Sequence, residues 1–142
     1  MKIVLGADHA GVDAKNRLVA RLRAAGHEVD DLGTQGPESV DYPDFARAVG
    51  EAVAARRAER GVLVCGTGIG MSIMANRLAG VRAAKCNDPE EAALAREHND
   101  ANVLCLGARV LDPSVMDEIL DVFVRTDFAG GRHARRVAKF EC

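Results

Sequence analysis

Short apolar runs alternate with helix-like segments along the whole chain, and this alternation constrains the fold more than any other feature. The apolar runs lie within 2–8, 28–32, 61–65, 81–86 and 102–106, and the helix-like segments within 11–25, 44–60, 71–78, 88–97, 112–125 and the polar C-terminal stretch. Asp88-Pro89 and Asp112-Pro113 place proline where helices favour it, at the first position. Strands that alternate with helices predict a parallel sheet covered on both faces. We therefore predict an α/β fold, a single Rossmann-like α/β/α sandwich with a five-stranded parallel sheet in the order 2-1-3-4-5.

Length, charge and cysteine usage limit the class of protein. The 142 residues suit a single domain, 1–142, that ends in a polar tail, 130–142. With 19 Lys+Arg against 21 Asp+Glu the net charge is −2, so neither nucleic acid nor an acidic membrane is the expected partner. No apolar stretch approaches the roughly 20 residues of a membrane helix, and the four cysteines, 65, 86, 105 and 142, form no C-x-x-C pair. These features argue against zinc and a disulfide framework, and they predict a cytoplasmic protein in a reducing compartment.

Polar and glycine-rich segments follow the predicted strands. They are Asp8 and His9 after the first strand, 65–70 after the third, Asn87 and Asp88 after the fourth, and 107–109 after the fifth. Because open parallel sheets bind ligands beyond the carboxyl ends of their strands, we expect a site built from several loops at this edge. The stretch 33–43 contains Pro and Gly, and its length makes it a further candidate for a functional loop.

The segment Cys65-Gly-Thr-Gly-Ile-Gly70 is the sharpest local feature. Its three glycines let the backbone approach a ligand closely, and the N–H groups of the following helix favour an oxyanion or a phosphate. The same helix end favours a thiolate, so Cys65 is a candidate base or nucleophile. A buried cysteine at the end of a strand is the alternative interpretation.

Known motifs fit this turn only in part. A P-loop needs Lys after its last glycine, and a phosphate-transfer loop of the C-x₅-R type needs Arg where Met71 stands. A dinucleotide fingerprint has the spacing G-x-G-x-x-G, whereas this turn has G-x-G-x-G. That fingerprint also has an acid after the next strand, and Asp88 does follow the next predicted strand, so nucleotide binding stays open as the runner-up.

Three further clusters each allow a catalytic and a structural interpretation. Asp8 and His9 could move a proton together, or Asp8 could cap a helix. His98, Asn99 and Asp100 end a predicted helix, where a solvated histidine is the simpler interpretation. A basic cluster near the C-terminus suits a phosphate, because guanidinium groups match phosphate oxygens, or it is a solvated tail. It consists of Arg132, His133, Arg135 and Arg136.

Taken together, these motifs resemble the ribose-5-phosphate isomerase B family, which also includes the galactose-6-phosphate and allose-6-phosphate isomerases. The resemblance covers nearly the whole chain. It is carried by Gly6-Ala-Asp-His-Ala-Gly11, Asp41-Tyr-Pro43, Cys65-Gly-Thr-Gly-Ile-Gly-Met-Ser72 with Ala75-Asn76, His98-Asn-Asp-Ala-Asn102, Gly107-Ala-Arg109 and Gly130-Gly-Arg-His133. It implies an aldose–ketose interconversion without metal or cofactor, in which a base moves a proton between C2 and C1 through a cis-enediolate after the sugar ring has opened.

The resemblance also implies a role for each candidate residue. Cys65 is the implied base, since one branch of the family uses a glutamate where this chain has Met71, and methionine cannot accept a proton. His98 is the implied carrier of the ring-opening proton with Asp8 as its assistant, and Thr67 orients the sugar. The remaining implied contacts are the enediolate oxygen on the backbone of Gly66, Gly68, Ile69 and Gly70, the sugar oxygens on Tyr42 and Asn99, and the phosphate on His9, Arg109, Arg132 and Arg136.

The family resemblance further implies a homodimer or homotetramer with shared active sites, in which the 130–142 tail packs at the dimer interface and reaches across it. The expected substrate is ribose 5-phosphate, because this one chain carries the base and all the phosphate ligands, whereas the galactose-6-phosphate branch divides its site between two different subunits.

One alternative is an isomerase of a six-carbon sugar phosphate, allose 6-phosphate or galactose 6-phosphate. Another is a non-catalytic nucleotide or sugar-phosphate binding module that needs no base. A purely structural role would leave the clustering of Asp8, Cys65 and Asp88 at strand ends unexplained.

Overall fold

The computed structural model describes residues 1–140, so the last two residues of the predicted tail, including Cys142, lie outside the described residues. Strands and helices alternate as β1 (Lys2–Ala7), α1 (Val12–Ala24), β2 (Glu28–Asp31), α2 (Tyr42–Ala54), β3 (Arg60–Cys65), α3 (Ile69–Ala75), β4 (Ala83–Lys85), α4 (Pro89–Asn99), β5 (Val103–Gly107), α5 (Pro113–Arg125) and α6 (Arg132–Val137). Among residues 1–140, no helix is long and apolar enough to cross a membrane.

The five strands form one parallel sheet in the order β2-β1-β3-β5-β4. The predicted fold class is confirmed, but the predicted strand order 2-1-3-4-5 is wrong, because β5 and not β4 pairs with β3. Burial explains the difference. Every residue of Val103–Gly107 is buried, whereas the three residues Ala83–Lys85 are only partly buried. A fully apolar strand suits the interior of a parallel sheet, and a short strand that ends in lysine suits its edge.

Two apolar layers cover the sheet. On one face α1, α4 and α5 bury side chains such as Leu18, Ala92 and Ile119 against it. On the other face α2 and α3 bury Val49 and Met71. The chain leaves β1 through α1 on the first face and leaves β3, the strand beside β1, through α3 on the second face. Ligands of open α/β sheets bind at such a switch point, outside the carboxyl ends of the strands.

Helix α2 occupies Tyr42–Ala54, although the sequence predicted 44–60. It begins earlier because Pro43 lies in the first turn, where a missing N–H costs no helical hydrogen bond. It ends earlier because Arg56 takes up a left-handed backbone conformation with φ +58°. Helix α3, Ile69–Ala75, likewise begins two residues before the predicted 71–78. Tyr42 therefore lies at the start of a helix rather than inside the predicted loop.

Candidate active site

The ends of β1, β3 and β5 are joined by backbone hydrogen bonds. The Asp8 N–H donates to Val64 O at 3.2 Å, and the Arg109 N–H donates to Gly66 O at 2.9 Å. These bonds hold together the loops that follow the first, third and fifth strands. These three loops therefore meet at the carboxyl edge of the sheet, as predicted. They lie at the switch point between β1 and β3.

A backbone N–H group of the glycine turn contacts the sulfur of Cys65. Cys65 is 5% exposed, and the Gly68 N–H donates to its Sγ at 3.1 Å. The glycine turn thus places a backbone donor at the sulfur. Gly68 has φ +81°, and a Cβ there would lie 3.0 Å from the backbone carbon of Leu106, so only glycine suits this position. Thr67 is exposed, and its Oγ1 accepts from the Ile69 N–H at 3.2 Å.

Asp8 and His9 lie beside this turn, at the end of β1. Asp8 is 7% exposed and its Oδ1 accepts from the Ala10 N–H at 3.0 Å, while the N-cap of α1 is Gly11, so Asp8 is not the cap of that helix. The Val40 N–H donates to His9 Nδ1 at 3.2 Å. A neutral ring that accepts at Nδ1 carries its proton on Nε2, which can donate to a phosphate oxygen.

Tyr42 and Arg109 cover two glycines of the turn. A Cβ at Gly70 would lie 2.5 to 3.0 Å from atoms of the Tyr42 ring, and a Cβ at Gly66 would lie 3.2 Å from Arg109 Nη1. Both side chains therefore reach the turn only because glycine stands beneath them. Both are also exposed, so a phenol and a guanidinium are available to a ligand beside the sulfur.

Two positions weighed in the sequence do not face this site. Asp88 follows the edge strand β4, two strands away from β3, and its Oδ1 accepts from the Glu91 N–H at 2.8 Å as the cap of α4. The nucleotide-binding alternative thus loses the acid that supported it. Met71 is fully buried in the apolar layer of α2 and α3, which also includes Cys65, so it is a core residue and is not exposed to a ligand.

His98 and Asn99 lie at the opposite edge of the sheet. They are the last two residues of α4, which returns the chain to the start of β5, where Asn102 O accepts from the Gly61 N–H at 2.9 Å. Strand β3 separates that start from Cys65, and its six residues span about 16 Å. A histidine side chain does not bridge such a distance, so one chain does not bring His98 to its own Cys65.

The basic cluster lies with His98 and not with Cys65. Helix α6 follows the end of α5 at the same amino edge, and the preceding Ala129 N–H donates to Glu97 O of α4 at 3.0 Å. Arg132 and Arg136 are exposed on this short helix. The predicted site residues therefore form two groups. The carboxyl-edge group comprises Asp8, His9, Tyr42, Cys65, the turn Gly66 to Gly70 and Arg109, and the amino-edge group comprises His98, Asn99, Arg132 and Arg136.

Sequence reasoning counted His133 in the basic cluster but left it out of the implied phosphate contacts, and the structure shows that it contacts His98 directly. The two imidazole rings are stacked, with centroids 4.2 Å apart and planes inclined by 12°. Burial, then the neighbouring His98, Arg132 and Arg136, lower the pKa of His133, and Glu97 opposes them among the residues that the structure describes. The two histidines are 35 positions apart in the sequence, so no local spacing signals the contact.

Lys15 was also missed. Its side chain is fully buried, and its Nζ donates to Asp31 Oδ2 at 2.6 Å and to Gln35 Oε1 at 3.4 Å. Burial by itself would raise the pKa of Asp31, but Lys15 and the Gly33 N–H hold it below its usual range. Gly33 in turn pairs with the end of β1, since its carbonyl accepts from the Ala7 N–H at 2.6 Å. The ion pair of Lys15 with Asp31 therefore fixes the loop beside Asp8. The signal for it in the sequence was a lysine at a core position of helix α1.

The other described cysteines are core residues. Burial raises the pKa of Cys86 to about 12 and raises that of Cys105 further above its usual range. Within residues 1–140, no group of three or more His, Cys, Asp or Glu side chains is arranged to hold a metal ion. Cys65 thus differs from Cys86 and Cys105 in its place at the glycine turn and in its backbone donor.

Comparison with known proteins identifies the family. The model of the ribose/galactose isomerase family matches residues 3–140. Ribose-5-phosphate isomerase B of Escherichia coli K12 is 46% identical over 136 residues, which are 96% of this chain and 91% of that protein. The structure of ribose-5-phosphate isomerase B from Clostridium thermocellum matches with a TM-score of 0.97 at 49% identity, over 98% of this chain and 94% of that chain. The enzyme of the same name from Anaplasma phagocytophilum matches with a TM-score of 0.93 at 51% identity, over 98% and 95%. The chain belongs to the ribose/galactose isomerase family.

Proposed function

We propose that this protein interconverts ribose 5-phosphate and ribulose 5-phosphate, with the Cys65 thiolate as the base. The observation that carries the proposal is the hydrogen bond from the Gly68 N–H to Cys65 Sγ, which holds the sulfur in a glycine turn at the switch point of the sheet. The names of the relatives support the same substrate. Carbon C1 is reduced as carbon C2 is oxidised, so the reaction is balanced within the sugar and needs no external oxidant or cofactor.

Ring opening is the first step. The hydroxyl on C1 loses its proton, the bond from C1 to the ring oxygen breaks, and that oxygen gains a proton. In the proposal His98 carries the proton and Asp8 assists it. General acid–base groups of this kind typically contribute roughly 10²- to 10⁴-fold to a rate.

Proton transfer between C2 and C1 is the second step. The Cys65 thiolate takes the proton from C2, the electron pair forms the C1–C2 double bond, and the carbonyl oxygen becomes part of the enediolate. The O2 proton then passes to O1, and the thiol returns its proton to C1 as C2 becomes the carbonyl carbon. The backbone N–H groups of Gly66 to Gly70, among which that of Gly68 contacts the sulfur, are the proposed donors to the enediolate oxygen, and each such donor is typically worth about 3 to 4 kcal/mol.

The phosphate is proposed to bind cationic and N–H donor groups from both edges of the sheet. His9 offers its Nε2 proton because Nδ1 is occupied by the Val40 N–H, and Arg109 lies over Gly66. Arg132 and Arg136 come from α6. Thr67 at the turn is the proposed anchor for the sugar hydroxyls, together with Tyr42 and Asn99.

A site made from both edges requires two chains. His98 and Asn99 lie at the amino edge of the sheet, and strand β3, about 16 Å long, separates that edge from Cys65. If the amino edge of one chain meets the carboxyl edge of another, both groups meet in one site. Four apolar or aromatic side chains are exposed around the carboxyl-edge group and are available for this contact, namely Tyr42 at 40%, Ile69 at 52%, Val110 at 57% and Ile73 at 62% exposure. We therefore propose a homodimer or a homotetramer with the 130–142 tail at the interface.

We propose that the loop between β2 and α2 discriminates between sugar phosphates of different length. This loop places Val40 against His9 and leads into Tyr42 at the glycine turn, so it lies between the phosphate contact and the reacting carbons. A six-carbon sugar phosphate has one more carbon between these two points. Ribose 5-phosphate is therefore the proposed substrate, with allose 6-phosphate and galactose 6-phosphate as the competing outcomes. A cytoplasmic location belongs to the same proposal, because a reducing compartment keeps the Cys65 thiol free.

Turnover of three sugar phosphates by the purified protein tests the proposal. Ribose 5-phosphate, allose 6-phosphate and galactose 6-phosphate are assayed side by side with EDTA present, and Cys65→Ala is compared with Cys86→Ala, a buried cysteine that follows the edge strand β4. We expect the pentose to be preferred and its turnover to fall roughly 10²- to 10⁴-fold in Cys65→Ala only. Turnover in Cys65→Ala like that of the wild type would remove Cys65 as the base. Preference for a six-carbon sugar would replace the proposed substrate.

A further inference from the structure

The stacked pair of His98 and His133 is the feature that the proposed mechanism leaves unused. His133 is 9% exposed, whereas Arg132, Arg135 and Arg136 on the same six-residue helix are exposed. Helix α6 therefore turns one side chain inward, and that side chain lies flat against the proposed ring-opening histidine. No hydrogen bond holds either imidazole within residues 1–140, so the ring contact is what orients His98.

The charges around the pair favour a neutral ring at His133. Arg132 and Arg136 on α6 and His98 on α4 oppose a positive charge there, and among residues 1–140 it is Glu97 on α4 that favours it. A neutral ring can stack on His98 in either protonation state of His98 without charge repulsion. His133 thus can stay in place while His98 gains and loses a proton.

We propose that His133 is a positioning residue whose ring, stacked on His98, holds the His98 imidazole in the orientation that opens the sugar ring. This inference rests on the proposed function. Aromatic pairs are worth about 0.5 to 1.5 kcal/mol beyond the area that they bury. Losing the stack should therefore lower the population of correctly oriented His98, and with it the rate of ring opening, by roughly two- to tenfold.

The two directions of the reaction separate ring opening from proton transfer. Ribose 5-phosphate is mostly a closed ring, so its conversion needs both steps. Ribulose 5-phosphate has its O5 blocked by phosphate and stays open, so exchange of its C1 proton with solvent needs Cys65 but no ring opening. A positioning role for His133 concerns the first reaction alone, whereas general damage to the fold affects both.

The experiment compares kcat for ribose 5-phosphate with C1-proton exchange of ribulose 5-phosphate in D2O, followed by NMR. We expect His133→Ala to lower kcat roughly two- to tenfold and to leave the exchange rate within about twofold of the wild type. His133→Phe keeps a flat ring without nitrogen atoms and should restore kcat. Arg57→Ala, which changes an exposed arginine outside the 130–142 tail, is the control and should change neither reaction.

Three results would overturn the inference. They are equal losses in both reactions for His133→Ala, unchanged kcat in that variant, and failure of His133→Phe to recover kcat while its melting temperature matches the wild type. Failure of the proposed function looks different, because the wild-type protein itself would then neither convert ribose 5-phosphate nor exchange the C1 proton of ribulose 5-phosphate.

Discussion

A pair of complementary variants tests whether Cys65 and His98 act on the same substrate from different chains. Cys65→Ala and His98→Asn are produced together with two different affinity tags, and the mixed dimer is isolated on both tags in turn. Cys65 ends β3 and His98 lies at the end of α4, at opposite edges of a sheet whose central strand spans about 16 Å. The two side chains of one chain therefore do not meet, and a shared site predicts recovery of activity in the mixed dimer.

The size of the recovery follows from two-fold symmetry. In a symmetric dimer each chain gives its Cys65 to one site and its His98 to the other site. The mixed dimer then contains one site with both groups intact and one site with neither, so its kcat per dimer should be about half that of the wild type. Each parent dimer lacks one group in both sites and should lose roughly 10²- to 10⁴-fold.

The control is a mixed dimer of a wild-type chain and a chain that carries both substitutions. With shared sites each site of this dimer lacks one group, and turnover of ribose 5-phosphate should be nearly absent. With sites inside single chains the wild-type chain would keep its whole site and the control would be half active. A half-active control together with an inactive first dimer would refute the shared site, since both outcomes are then reversed.

Two further predictions concern positions around the site. Gly70→Ala should raise KM and lower stability, because its Cβ would lie 2.5 Å from the Tyr42 ring, and a double-mutant cycle with Tyr42→Ala should show that most of the stability loss disappears when the ring is absent. Additive losses would show that the ring is not what Gly70 accommodates. Asp31→Asn should lower the free energy of unfolding by about 3 kcal/mol at neutral pH, because it leaves the buried Lys15 without its counter-ion. The pKa of Asp31 is lower in the folded state than its ordinary 3.8, so this difference should be complete above that pH and shrink as the pH falls through the lower, folded value. Urea unfolding at a series of pH values measures it, and a difference that persists in strong acid would contradict the assignment to this ion pair.

The sequence was sufficient for the architecture because the signals of a parallel sheet are local. Alternating strands and helices, with Asp-Pro at two helix starts, required no knowledge of which strands are neighbours. The strand order failed because neighbours are chosen by burial in three dimensions. A comparison of Val103–Gly107 with Ala83–Lys85 could have placed the apolar strand inside and the lysine-bearing strand at the edge.

Part of the candidate site was also predictable from the sequence. The rule that places ligands beyond the carboxyl ends of strands gathered Asp8, Cys65 and Arg109 correctly. The position of His98 was predictable from the same topology. A helix between parallel strands returns the chain to the amino edge, and His98 lies at the end of such a helix. The contact of His98 with His133 depends on elements far apart in the sequence, and no local pattern predicts it, whereas the burial of Lys15 had a local signal in its core position on α1.

The carboxyl-edge group and the amino-edge group lie apart within one chain, and in the proposed assembly the polar tail brings amino-edge residues of one chain to the carboxyl edge of the other. Each chain buries two apolar layers against its own sheet, so the fold does not need a partner to close its core. The proposed chemistry does need one, because in the proposal the base lies at the carboxyl edge and the ring-opening histidine and two arginines lie at the amino edge. A two-fold contact that brings one amino edge to one carboxyl edge brings the second pair together as well, since residues meet reciprocally across such an axis. In the proposed assembly a single interface completes two sites, so the proposal makes catalysis, but not folding, dependent on association.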